Sequence, residues 1–244
     1  MLESTAIRQA RPTPRRTSMA RVAVASSMGS IIEFYDFLIY GTAAALVFPQ
    51  VFFPELGTGA GTLASFGTFA VAFVSRPLGA ILFGHFGDRL GRKKTLVSTL
   101  LIMGFATVTI GLLPSASVIG LAAPIILVLL RFLQGFAVGG EWAGAALLAA
   151  EYAPPKRRGL YAAFPQLGPS IGFALASMTF LIINLTLGDA SDAFLSYGWR
   201  IPFILSAVLV IVGLYIRLKI EETPVFKAAT DARRAAPVAR KLPV

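Results

Sequence analysis

Of the 244 residues, 56% are hydrophobic and only 14% charged, against roughly 25% charge in soluble domains, so composition alone nearly excludes a water-soluble fold. Cysteine is absent and His85 is the sole histidine, which excludes disulfide frameworks, thiolate metal sites and cysteine nucleophiles and argues against a histidine-built zinc or haem centre. The net charge of +10 could suggest nucleic acid, but the placement of the basic residues argues against it.

In chain order, residues 1–21 form a basic tail carrying Arg8, Arg11, Arg15, Arg16 and Arg21. Counted at about 20 apolar residues per crossing, six segments then read as transmembrane helices, over 22–48, 61–83, 95–113, 119–150, 160–187 and 201–216. The first is not a convincing signal peptide, because it is too long and carries Glu33 and Asp36 in its interior. Pro49 and Pro54 punctuate its end, Pro114 that of the third, Pro154 and Pro155 that of the fourth, and Gly188 that of the fifth. Pro165 and Pro169 remove helical hydrogen bonds inside the fifth segment and predict a bend there. Residues 221–244 are polar, basic and contain Ala and Pro, which suits a cytoplasmic linker.

The connections after segments one, three and five carry only Glu55, Asp189 and Asp192, with Arg200 at the mouth of segment six. The other connections and both tails hold nearly all of the 22 Lys and Arg, among them Arg89, Arg92, Lys93, Lys94, Lys156, Arg157, Arg158 and Arg217. An excess of Lys and Arg marks the cytoplasmic side, so these residues set topology and meet anionic head groups, with no nucleic-acid partner. The expected fold class is all-α membrane: a six-helix transmembrane bundle over residues 22–220, multi-pass, in the inner (plasma) membrane, with both termini cytoplasmic.

Ionisable residues inside the spans carry the chemistry. Each costs roughly 2.5–3.5 kcal/mol at the bilayer centre on insertion scales and so needs a partner or a wet cavity. They are Glu33 and Asp36 in segment one, Arg76 in segment two, and Arg131 and Glu141 in segment four. Segments three and six have none in their interiors and are expected to be supporting, more lipid-facing helices. Glu33 and Asp36, three apart, share a helix face beside Tyr35 and Tyr40. Gln134 and Glu141 align on segment four with Arg131 about 60° away. A carboxylate and a guanidinium that can separate form a plausible proton carrier; a permanent ion pair that only orders the bundle is the alternative. Gly135 and Gly139, Gly140 and Gly144, and Gly168 and Gly172 are each four apart, a spacing that lets helices approach closely.

Between segments two and three the chain reads Gly84-His85-Phe86-Gly87-Asp88-Arg89-Leu90-Gly91-Arg92-Lys93-Lys94, which resembles the signature loop of the major facilitator superfamily. Here Gly87 and Gly91 permit a tight turn, Asp88 can sit at a helix N-terminus, and Arg92 can reach a carboxylate on a neighbouring helix. The stretches Glu33-Phe34-Tyr35-Asp36-Phe37, Arg131-Phe132-Leu133-Gln134-Gly135, Gly139-Gly140-Glu141-Trp142 and Gly198-Trp199-Arg200-Ile201-Pro202-Phe203 resemble its metabolite:proton symporter branch, whose members carry shikimate, α-ketoglutarate, citrate, proline or betaine.

The resemblance implies that Glu33 and Asp36 face Arg131 at a central cavity as a proton-coupling and substrate-orienting group, with either acid as the proton carrier. It implies a cytoplasmic gate made by Gly84, Gly87, Asp88, Arg89, Gly91 and Arg92, with Glu151 pairing Arg92. It also implies a proton gradient as energy source without cofactor or metal, and a small metabolite, protons, the lipid bilayer and a second six-helix half as partners. Members of that family have twelve spans, so the chain is expected to be the amino-terminal half. A non-transporting six-helix remnant and half of a drug:proton antiporter remain as alternatives; a membrane enzyme lacks a nucleophile–base pair or metal-ligand cluster.

Overall fold

The computed structural model describes residues 19–141, 153–188 and 191–219, and among these the regular structure is all helical. Among the described residues six long helices carry the architecture: α1 (Met19–Leu46), α2 (Gly57–Leu90), α3 (Arg92–Leu112), α4 (Ala122–Gly139), α5 (Gly168–Leu187) and α6 (Arg200–Leu218). Five helical stretches, Pro54–Gly87, Lys93–Leu112, Ala122–Gly139, Gly159–Leu187 and Phe194–Leu218, are long and apolar enough to cross a membrane. The 28-residue α1 is not among them; it carries Glu33 and Asp36 midway along its length. Side chains such as Leu63, Val74, Ile81, Leu185 and Ile211 lie more than half exposed, an apolar surface that water would not tolerate and lipid would.

Helix boundaries follow local chemistry. Pro49 sits in the first turn of a short helix, Phe48–Val51, that ends the α1 segment. The connection between α2 and α3 is shorter than expected: α2 runs on to Leu90, and Gly91 alone, at φ 103° and ψ 144°, breaks the helix. Gly87 is helical and its carbonyl accepts the Gly91 N–H at 3.2 Å. Asp88 therefore falls in the last turn of α2 and not at the start of α3, against expectation. Gly120, at φ 59°, separates the short helix Ala116–Ile119 from α4.

The fifth segment is interrupted as its prolines predict. Helix Arg158–Ala163 gives way to a 3-10 turn, Phe164–Leu167, before α5 begins. Pro165 and Pro169 supply no N–H to an i−4 ladder, and the tighter turn absorbs the loss. Gly144 lies outside the described residues, as does the expected continuation of segment four over 142–150.

Three helix pairs dominate the packing: α2 with α4 and α1 with α5, each parallel, and α3 with α6, antiparallel. The α2–α4 approach is backbone to backbone. A Cβ on Gly135 would overlap the Ala72 carbonyl oxygen, one on Gly139 that of Arg76, and one on Gly79 that of Phe136. The α3–α6 pair is stitched at both ends by donors that reach the free carbonyls of the partner's last turn. Lys93 Nζ donates to Leu218 O at 2.7 Å, and Arg200 donates to Gly111 O at 2.9 Å and Leu113 O at 2.7 Å.

One expectation is reversed. The most apolar window of α3 is 56% buried, the highest of the five, against 22% for α2 and 17% for the α5 stretch. Helix α3 lies between α4 and α6 and does not face lipid as a supporting helix; α6, at 28%, presents Val208, Ile211 and Tyr215 outward as expected. The main apolar core gathers Tyr40, Phe48, Phe52, Trp199 and Phe203 in edge-to-face contacts at the end of the bundle remote from Gly91.

Candidate functional site

Asp36 projects from α1 into the space between α3 and α4 and is 5% exposed. Its Oδ2 faces Arg131 NH1 of α4 at 3.4 Å. Its Oδ1 accepts from Gln134 Nε2 at 2.9 Å and from Thr107 Oγ1 of α3 at 2.6 Å. Gln134 closes the ring: its Oε1 accepts from Arg131 NH1 at 2.9 Å, and its Nε2 also donates to Thr107 Oγ1 at 2.8 Å. The Arg131 guanidinium lies 3.8 Å from the Tyr40 ring centroid and 4.7 Å from that of Phe69, and Tyr40 is itself held by a hydrogen bond to Thr68.

In low dielectric such a pair is sensitive to loss of either member: an orphaned buried charge costs about 3–5 kcal/mol. The satisfaction is also incomplete, because Arg131 Nε is buried without a hydrogen-bond partner. The cluster can therefore hold a carboxylate and a guanidinium together, and it leaves one buried donor for another group.

Glu33, one turn before Asp36, does not join Arg131. It faces Arg76 NH2 of α2 at 3.4 Å, with the Arg76 side chain 33% exposed and that of Glu33 8%. Glu33 Oε2 and Arg76 Nε are both buried without a partner, and the Arg76 guanidinium sits 4.8 Å from the Phe73 ring centroid. The two acids on one face of α1 thus meet two arginines from different helices.

Two other expected members lie elsewhere. Tyr35 is buried and donates to Pro202 O of α6 at 3.0 Å, so it ties α1 to α6 and does not flank the acids' contacts. Glu141, although aligned with Gln134 by helix period, is paired with Arg217 at the end of α6. Arg217 in turn is 5% exposed and is not a free cytoplasmic charge.

In the Gly84–Arg92 motif, Gly84 and Arg89 are exposed while Gly87 and Gly91 are buried. The side chains of Asp88 and Arg92, and Glu151 altogether, lie outside the described residues. Thr107 and Arg217 are the contributors that residue type alone did not single out for this chemistry. No group of three or more His, Cys, Asp or Glu suited to a metal occurs among the described residues.

Residues 22–242 match the sugar (and other) transporter family. The chain belongs to the sugar (and other) transporter family of the major facilitator superfamily. Within this transporter family, the inner membrane metabolite transport protein YhjE of Escherichia coli (strain K12) is 57% identical over 217 residues, 89% of this chain and 49% of that protein. The shikimate transporter of the same organism is 49% identical over 224 residues, 92% of this chain and 50% of that protein. The chain spans about half the length of these relatives.

The inward-open xylose transporter XylE from E. coli shares the fold, at a TM-score of 0.71 and 18% identity, over 88% of this chain and 51% of XylE. The chain is thus an integral membrane protein of a transporter family and not an enzyme.

Proposed function

We propose that the chain forms the amino-terminal, six-span half of a secondary transporter in the inner membrane, both termini cytoplasmic. With α1 counted as a span, it would bring a small carboxylate or betaine-like metabolite into the cell together with a proton by alternating access. The observation that carries this reading is the buried ring of Asp36, Arg131, Gln134 and Thr107 with its unpartnered Arg131 Nε.

A proton on Asp36 cancels the attraction that holds Arg131 and frees the guanidinium for a substrate carboxylate; loss of the proton on the other side restores the pair and expels the substrate. Arg76, partly exposed and with Glu33 Oε2 unpartnered beside it, supplies a second cation at the same face. In discontinuous bundles of this kind the substrate path runs between repeats near the membrane midplane, so a second six-helix half is the expected partner. The Gly84–Arg92 motif with Glu151 is assigned to the cytoplasmic gate. No cofactor is required, since the proton gradient supplies the energy.

The test is uptake of labelled shikimate, α-ketoglutarate, proline and betaine into liposomes under an imposed proton gradient. It uses the chain alone and the chain fused to the second half of YhjE. Accumulation by the fusion, lost in Asp36→Asn with substrate exchange retained, is the expected result. No proton-driven flux by either protein with any of the four substrates refutes the reading.

A further inference from the structure

A second buried ion pair lies toward the Gly91 end of the bundle, apart from the Asp36 cluster. Glu141, just beyond α4 and 1% exposed, is bonded to Arg217 of α6, 5% exposed. Glu141 Oε2 also accepts from Thr99 Oγ1 of α3 at 3.5 Å, and Arg217 NH1 donates to the Leu96 carbonyl of the same helix. On the fourth side stands Gly29 of α1, where a Cβ would overlap both Glu141 Oε1 and the Arg217 guanidinium. Helices α1, α3 and α6 and the end of α4 thus converge on one carboxylate.

An apolar layer separates this pair from the Asp36 cluster. Ile32 of α1, Leu100 and Met103 of α3, Ala137 and Val138 of α4 and Val210 of α6 pack together. On α1, α3 and α4 they fall, in sequence, between the members of the two polar groups. On α1, Glu33 also falls between Gly29 and Asp36, next to Ile32, and faces Arg76.

The packing gives this pair a lever on the candidate site. Both arginines of the site, Arg76 and Arg131, ride on the α2–α4 unit, whose backbones are locked together at Gly79, Gly135 and Gly139. Both acids, Glu33 and Asp36, ride on α1. The height of the unit against α1 therefore sets both acid–arginine contacts at once.

We propose that Glu141 and Arg217, closed in by Gly29, are positioning residues that set that height. Its bearing on coupling rests on the proposed transport function; the positional claim does not.

The chain has no cysteine, so spin labels can be placed cleanly. With labels at the exposed positions Leu46 on α1 and Leu129 on α4, the interspin distance is measured in nanodiscs. Glu141→Gln is expected to move that distance by at least about 1.5 Å, the rise of one helical residue, while Arg217→Lys, which keeps the charge, stays at the wild-type value. If Glu141→Gln does not fold, the double change Glu141→Met with Arg217→Met removes both charges together and strands neither; it is expected to fold with the same shift.

Unchanged distances in the folded variant overturn the positional claim, even where its melting temperature falls. Failure of the liposome uptake test above leaves the distances untouched, so the two readings fail separately.

Discussion

Gln134 is the hinge pin of the Asp36 ring, since its one side chain bonds Asp36, Thr107 and Arg131. Gln134→Leu keeps the volume but strips two donated hydrogen bonds and one accepted bond, leaving Asp36 on Thr107 and Arg131 alone. The expected cost is about 1–3 kcal/mol, the usual penalty for buried groups left unsatisfied, read as a lower thermal midpoint in detergent. Gln134→Glu is expected to be worse, because it sets a second carboxylate beside Asp36. The charged members of this ring were legible in the sequence because an ionisable residue inside an apolar segment demands a partner. The partners were only half legible. Helix period places Glu141 under Gln134, yet which arginine it meets depends on how α6 packs, and Arg217 looks like one more basic residue of a cytoplasmic flank. Thr107 was invisible for a different reason: threonines in apolar helices are satisfied by their own backbone, as Thr107 is by Met103 O at 2.9 Å, and nothing in residue type separates it from Thr109.

Among the elements, the α2–α4 pair depends on the absence of side chains. Gly139→Ala inserts a methyl group against the Arg76 carbonyl, backbone that cannot swing aside. Overpacking of this kind costs typically about 1–3 kcal/mol, and because Arg76 itself carries the contact to Glu33, the displacement reaches the candidate site. The expected outcome is a lower melting temperature in Gly139→Ala, with Gly159→Ala, where a Cβ meets open space, as the neutral control. The four-residue glycine spacing had already singled out Gly135 and Gly139; their facing partners Ala72 and Arg76 had no counterpart signal. The sequence reading of α3 failed at this scale, because an uninterrupted apolar helix reads the same whether lipid or neighbouring helices surround it.

For the molecule as a whole, charge asymmetry predicts that Glu55 lies outside the cell and Lys94 and Lys156 inside. Single cysteines at each position of the cysteine-free chain test this with an impermeant thiol reagent on intact cells. Labelling at Glu55→Cys without lysis, and at Lys94→Cys and Lys156→Cys only after lysis, is the expected pattern; the reverse pattern would invert the bundle and its gate. Hydropathy and the Gly84–Arg92 motif made the fold class legible from the sequence, whereas the 34 residues of α2 overran the expected span because one glycine, not a loop, closes it.

Among the described residues the three ion pairs, Glu33 with Arg76, Asp36 with Arg131 and Glu141 with Arg217, sum to zero. Pairs so balanced feel no net pull from the membrane voltage while every member is ionised. One proton on one acid leaves an uncompensated positive charge, and moving a full charge across the membrane is worth about 2.3 kcal/mol per 100 mV. Charge cancellation within these pairs would then make a protonated pair responsive to an interior-negative potential, in proportion to how far through the field that charge is carried.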